Sequence, residues 1–155
     1  MAHWLLKSEP DAFSIDDLRK AKTTIWDGVR NFQARNYMLS AEVGDLAFFY
    51  HSNAKPPGIV GLCKVIKTRV VDPSQFDETS HYYDPKSTKA APTWHTLKVQ
   101  FVEKFPNYLS LDELRETFSP DDLIILRKGS RLSVTPVPDS TASQLIELGR
   151  GSPAR

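Results

Sequence analysis

Apolar residues in this chain occur in short runs, and this pattern limits the possible folds more than any other feature. The longest purely apolar runs have about five residues, as in residues 46–50, whereas a membrane-spanning helix needs about 20. Glycine, proline and other turn-forming residues separate the runs. The 155 residues therefore predict a single domain over residues 1–155 that buries a core without disulfide bonds. We expect residues 150–155 to form a frayed tail.

The order of the predicted elements favours a sheet with helices around it. Strands are predicted at residues 4–7, 46–51, 58–71, 97–101 and 132–135, the last of them ended by Pro136. Helices are predicted after the N-cap candidates Ser14 and Ser110, at residues 31–39, and at residues 141–148 with Gly149 as the stop. Too few helices lie between strands for a doubly wound parallel sheet. We therefore expect an α+β fold in which a mainly antiparallel sheet curls into a small barrel with flanking helices.

Charge and cysteine content exclude several functional classes. The 20 Lys and Arg against 19 Asp and Glu leave a net charge of +1, which argues against a bulk electrostatic nucleic-acid binder. A basic cluster at residues 127–131 still permits a local polyanion site. The one cysteine, Cys63, lies in an apolar stretch and is interpreted as a core residue. We find no Gly-rich phosphate loop, no HExxH motif and no metal-ligand spacing of histidines, so we expect neither cofactor nor metal.

The first residues bear on localisation. Residues 1–7 lack the basic start and long apolar core of a signal peptide. We therefore expect a protein of the bacterial cytoplasm, or of the nucleus if the source is eukaryotic. A monomer with no membrane partner is the expected state.

Three segments carry polar groups beside predicted strands: residues 7–10 (KSEP), 25–36 (IWDGVRNFQARN) and 48–53 (FFYHSN). Together with residues 58–61, 82–87 and 131–134, they closely resemble the EVE domain family, and the resemblance extends from Trp4 to about Leu148. It implies a PUA-like fold, which is a small open β-barrel with flanking helices. It also implies a module that reads a modified base in nucleic acid, with a modified cytosine in DNA as the first expectation and RNA as the alternative.

The resemblance extends to YTH domains, which share a Lys-Ser pair and a tryptophan at the places of Lys7, Ser8 and Trp26. By that comparison Trp26 is a wall of an aromatic cage, and Glu9 lies on the base edge. A flipped base stacks on an aromatic face and is read along its edge, and a carboxylate accepts a hydrogen bond from the N4 amine of cytosine. The candidate base-binding residues are Lys7, Ser8, Glu9, Trp26, Val29, Asn31, Tyr50, His51, Ser52 and Ser133. The candidate phosphate contacts are Arg30, Arg127 and Arg131.

Several of these residues also have an ordinary structural interpretation. Trp26 suits a core, Asn31 suits a helix N-cap, and Ser8 with Glu9 suits a turn before Pro10. The long irregular stretch 72–93 contains residues 82–85, which either pack this loop onto the barrel or cover the pocket.

An enzyme of a different class remains as the alternative. The related ASCH domains include amidohydrolase-like proteins, and Lys7, Ser8 and Glu9 suit such chemistry if Lys7 is desolvated enough to act as a base for Ser8. Adjacent residues of a strand point to opposite faces, which counts against that pair. We therefore expect a binding module rather than an enzyme.

Overall fold

The computed structural model describes residues 1–129 and 131–151. In order, the elements are β1 (His3–Ser8), α1 (Ile15–Ala21), β2 (Thr23–Ile25), α2 (Phe32–Ser40), β3 (Leu46–His51), β4 (Gly58–Val71), β5 (His95–Ser110), α3 (Leu111–Thr117), β6 (Val134–Val137) and α4 (Asp139–Arg150). Short 3-10 turns lie at Pro73–Phe76 and Ile124–Leu126. None of the helices in these two ranges has the length and apolar character needed to cross a membrane.

The strands form one six-stranded sheet in the order β2-β5-β4-β3-β1-β6. Only β1 and β3 among the described strands pair in parallel, and every other neighbouring pair is antiparallel. Register shifts interrupt the long β4–β5 ladder at several points, and such irregularities increase local bending and twist. The sheet does not close on itself. This is the α+β, mainly antiparallel, open barrel-like fold expected from the sequence.

The sheet is buried on both faces. Leu5 and Phe48 belong to one hydrophobic core, whereas their chain neighbours Leu6 and Phe49 belong to a second core on the other face. Successive side chains of a strand point to opposite faces, so burial on both sides produces continuous apolar runs. Cys63 lies fully buried in the second core, where burial raises the pKa of its thiol to about 12. Its interpretation as a core residue is confirmed.

Local capping signals are confirmed. The Ser14 hydroxyl accepts the Asp17 N–H at 3.1 Å, and the Asp17 carboxylate accepts the Ser14 N–H at 2.8 Å, forming a capping box for α1. The Ser110 hydroxyl accepts the Glu113 N–H at 3.3 Å at the start of α3. The Asn31 side chain accepts the Ala34 N–H at 2.9 Å at the start of α2.

Two predicted strands have the wrong boundaries. Strand β5 continues to Ser110 instead of ending at residue 101. Strand β6 spans Val134–Val137 and contains Pro136 instead of ending before it. A proline lacks an N–H donor, but β6 lies at the edge of the sheet, where this loss is tolerated.

The end of α4 also differs from the prediction. Gly149 lies inside the helix, where a Cβ would approach the Phe105 ring to 2.4 Å, so glycine is needed there for close packing and not for termination. The helix ends at Gly151, which has a left-handed φ of 70°. Arg150 lies in the last turn and forms an ion pair with Glu103 at 2.6 Å, so the expected tail begins too early. Residues 152–155 of the predicted tail lie outside the described residues.

Candidate functional site

A cleft of about 810 Å³ lies at the carboxyl end of β1 and along the segment that follows β2. Of the residues expected at a site, eight line it: Lys7, Ser8, Glu9, Trp26, Val29, Ser52, Arg131 and Ser133. The other lining residues are Ala12, Phe13, Thr24, Ile25, Asp27, Gly28, His81 and Tyr82. The structure therefore brings together most of the expected residues, from four separate parts of the chain.

Sheet pairing explains this convergence. The parallel pair β1–β3 places the ends of the two strands side by side, and the Ser52 N–H donates to the Ser8 carbonyl at 2.9 Å. On the other edge of β1, the Lys7 N–H donates to the Ser133 carbonyl at 2.9 Å. Residues that are distant in sequence are thus held by backbone hydrogen bonds at one end of the sheet.

Trp26 is both a core residue and a wall of the cleft. Its side chain is 7% exposed and packs edge-on against Phe49, with 5.3 Å between ring centroids. Its backbone N–H donates to the Leu97 carbonyl at 2.8 Å, and its carbonyl accepts the Thr96 hydroxyl. Across residues 1–129 and 131–151, no acceptor contacts its indole N–H. The ring is therefore held rigidly and has one unused donor.

The loop 72–93 contributes part of the wall of the cleft. Its residues His81 and Tyr82 line the cleft. The Tyr82 ring lies directly over Gly28, where a Cβ would approach it to 2.6 Å. Gly28 also has a positive φ of 85°, a backbone conformation that favours glycine. Tyr82 thus both packs the loop onto Gly28 and bounds the cleft, and it is a cleft residue that the candidate set lacked.

Arg30 anchors this loop. Its guanidinium forms an ion pair at 3.0 Å with Asp72, whose side chain is 1% exposed. It also donates to the carbonyls of Val29 and Tyr82 and to the Ser74 hydroxyl. These bonds use all five N–H donors of an arginine side chain. No N–H donor of Arg30 is then left for a phosphate oxygen, which argues against the predicted phosphate contact.

Four other candidates do not line the cleft. Asn31 caps α2, as its alternative interpretation stated. The His51 Nε2 atom accepts the Ile15 N–H at 3.1 Å at the start of α1, and burial lowers the pKa of this imidazole. Tyr50 is buried, which raises the pKa of its phenol to about 12. Tyr50 and Arg127 instead border a second, smaller groove beside the cleft.

The charged groups of the cleft are suited to hydrogen bonding with a ligand. Burial lowers the pKa of Lys7, and no carboxylate among the described residues forms an ion pair with its ammonium. Partial burial, and then the nearby carboxylate of Asp72, raise the pKa of Asp27. Asp27 is a second carboxylate in the lining of the cleft, in addition to the expected Glu9. The candidate set lacked it because Asp27-Gly28 is also a turn signal.

The described residues also limit the chemistry of the cleft. The Ser8 hydroxyl donates to the Phe13 carbonyl at 2.5 Å, so its proton is directed at the backbone. Within the described ranges, no group of three or more His, Cys, Asp and Glu side chains could hold a metal ion.

Fold and cleft together define a small α+β domain whose open, mainly antiparallel barrel carries an aromatic-walled cleft with cations and carboxylates on its rim. Comparison with known families gives the particular class. Residues 2–148 match the model of the EVE domain, and the chain belongs to the EVE domain family.

Similar proteins occur in animals and bacteria. Human thymocyte nuclear protein 1 is 38% identical over 171 residues, covering 99% of this chain and 76% of that protein. A crystal structure of a Pseudomonas syringae protein superposes with a TM-score of 0.91 at 45% identity, covering 95% of this chain and 99% of that one. The human THYN1 protein in complex with 5-methylcytosine containing DNA superposes with a TM-score of 0.89 at 38% identity, covering 99% and 100%. The YTH domain of Mmi1, at 10% identity and a TM-score of 0.55, shares the fold alone.

Proposed function

We propose that this chain is a nucleic-acid-binding module that reads a modified base in the cleft, and that the base is a modified cytosine in DNA. The observation that carries the proposal is that Trp26, whose indole N–H has no acceptor among the described residues, lines the cleft together with the carboxylate residues Glu9 and Asp27. The human THYN1 protein, which is similar over the whole domain, has been solved with 5-methylcytosine containing DNA.

The chemistry of the cleft suits a flipped cytosine. Stacking of a base on an aromatic side chain contributes about 1–3 kcal/mol. Glu9 and Asp27 supply acceptors for the N4 amine of cytosine, which is the donor on its base edge. Val29 supplies an apolar surface, and such surfaces contact the methyl group of thymine in other complexes. Lys7 and Arg131 supply cations for the adjoining phosphates.

We infer that the chain acts by binding and not by catalysis. An ASCH-type amidohydrolase requires Ser8 to be activated by Lys7, but the Ser8 hydroxyl donates to the Phe13 carbonyl. The lowered pKa of Lys7 is the one observation that favours the enzyme. Hydrolysis of an N4-acylcytidine to cytidine and the free carboxylate, abolished by Lys7→Met, would support the enzyme. A monomeric state and a bacterial cytoplasmic setting stay predictions.

The proposal is tested by fluorescence anisotropy with labelled DNA and RNA oligonucleotides that carry cytosine, 5-methylcytosine, 5-hydroxymethylcytosine or N6-methyladenine. Salt concentration is held fixed because phosphate contacts make affinity salt-dependent. Wild type is compared with Trp26→Leu and with Trp4→Leu, a matched control because Trp4 is equally buried but does not line the cleft. We expect tighter binding to modified cytosine in DNA, lost in Trp26→Leu and kept in Trp4→Leu. Equal binding of modified and unmodified oligonucleotides by wild type would contradict the proposal.

A further inference from the structure

A second groove of about 390 Å³ adjoins the cleft and shares two of its lining residues, Lys7 and Ser52. We call it the basic groove, because Arg115, Arg127 and Lys128 line it together with Lys7. It lies between the end of β3, helix α3 and the segment after the 3-10 turn Ile124–Leu126. The side chain of Lys7 therefore stands on the boundary between the two depressions.

The charge of the basic groove is of one sign. Four cationic side chains line it, and none of its described lining residues is acidic. The whole chain has a net charge of only +1, so this concentration of cations is local. A polyanion that binds a nearly neutral protein needs such a local cluster, because the overall field contributes little attraction.

The cations of the basic groove remain available to a ligand. The ion pair between Arg115 and Asp112 is long, at 3.7 Å, and both side chains are mainly exposed, so it is weak. Arg127 makes one long hydrogen bond, from its Nε atom to the Pro120 carbonyl at 3.4 Å. Lys128 has no ion pair with any residue of the described ranges. These side chains contrast with Arg30, whose five donors are all used inside the protein.

We propose that the basic groove binds the phosphate backbone of the nucleotides that flank the base held in the cleft. The strand then crosses the boundary at Lys7 and Ser52, and Arg115 and Lys128 become phosphate contacts beside Arg127. This inference rests on the proposed function, since it takes the cleft as the place where the strand delivers one base. Phosphate contacts fix the register of a strand without reading its sequence. The basic groove thus supplies affinity, while the cleft supplies selectivity.

The test measures the dissociation constant at four NaCl concentrations for an oligonucleotide with one 5-methylcytosine and for its unmodified twin. The double variant Arg115→Gln/Lys128→Gln is compared with Lys64→Gln/Lys67→Gln. The control removes two exposed cations from β4 that line neither depression, so both variants lose the same net charge. Thermal melts of both variants test whether they are folded.

We expect the slope of log affinity against log salt to fall by about 1.4 on single strands in the groove variant, which is about 0.7 for each phosphate contact removed. The control slope should not change. The ratio of affinities for modified and unmodified oligonucleotides should stay as in wild type, because the removed contacts do not touch the base. An unchanged slope in the groove variant, or an equal fall in the control, would overturn the inference.

A second arm uses the free nucleotide 5-methyl-dCMP, which has no flanking phosphates. We expect the groove variant to bind it as wild type does. A loss of mononucleotide affinity would overturn the inference by assigning the basic groove to the nucleotide's own phosphate. Failure of the proposed function has a different signature, since wild type would then show no modification preference while the salt slopes still decide the role of the basic groove.

Discussion

Arg30 is the side chain whose removal should most disturb the wall of the cleft without touching a ligand. Arg30→Met leaves the nearly fully buried carboxylate of Asp72 without its cation and frees the Tyr82 carbonyl from two donors. Truncating one partner of a buried ion pair costs about 3–5 kcal/mol. Asp72 keeps hydrogen bonds from Gly28 and Ser74, and Arg30 is 22% exposed. We therefore expect the lower end, a loss of about 3 kcal/mol in the free energy of unfolding.

Urea denaturation followed by circular dichroism measures this loss, and Arg35→Met is the control. Arg35 lies in α2, five residues after Arg30, and contacts the same loop only through a hydrogen bond to the Thr93 carbonyl. It has no carboxylate partner among the described residues, so its removal should cost under about 1 kcal/mol. A loss from Arg30→Met no greater than from Arg35→Met would refute the assignment of Arg30 as the anchor of loop 72–93.

The same variant has a defined pH dependence. Burial raises the pKa of Asp72, but hydrogen bonds from Ser74, Gly28 and Arg30 outweigh it, so the folded pKa lies below its usual value. A carboxyl group with a depressed pKa contributes stability at pH values above its unfolded pKa of about 3.9. This contribution is lost as the pH falls through the folded pKa. The difference between wild type and Arg30→Met should therefore be constant from pH 5 to 7 and shrink below about pH 4. A difference that grows on acidification would contradict this account.

Two further substitutions test the cleft. Gly28→Ala places a methyl group against the Tyr82 ring, whereas Gly44→Ala is made at a glycine that also has a positive φ but faces open space. Urea denaturation should show that Gly28→Ala lowers the free energy of unfolding by about 1–2 kcal/mol more than Gly44→Ala. Equal losses would refute the close contact with Tyr82. Burial lowers the pKa of Lys7, so folding disfavours its charged form; this penalty is complete below the folded pKa and disappears as the pH rises to the unfolded pKa. Lys7→Met should therefore raise stability at pH 7 by about 0.5–1 kcal/mol while weakening oligonucleotide binding. The exposed control Lys64→Met should change neither, and a destabilised Lys7→Met would show that the ammonium has a structural partner.

The features predicted correctly from sequence are those that depend on near neighbours. Ser14, Asn31 and Ser110 cap helices through hydrogen bonds that reach three residues along the chain, so their spacing is visible in the sequence. The short motifs around Lys7 and Trp26 are equally local, and the resemblance they carry predicted both the fold and most of the cleft.

The features that were missed depend on contacts between distant residues. Arg30 belongs to the same motif as Trp26, but its partner Asp72 lies 42 positions away, and only the folded chain brings the two together. The local sequence predicts a helix end at Gly149, yet Gly149 lies inside α4 and is required there by the Phe105 ring. Tyr82 reaches the cleft because a long loop folds back over Gly28. No periodicity or spacing in the sequence indicates such contacts between distant residues.

The most direct test of the central claim observes the indole N–H signals by two-dimensional NMR during titration with a 5-methylcytosine oligonucleotide. Trp26 has no acceptor for its indole N–H among the described residues, whereas that of Trp4 donates to Asp45 at 3.0 Å inside the core. The Trp26 signal, assigned with Trp26→Phe, should move on saturation with the modified oligonucleotide and much less with the unmodified one, while the Trp4 signal stays in place. A Trp26 signal that does not move at saturation, or that moves equally with both oligonucleotides, would contradict the reading of a modified base in this cleft.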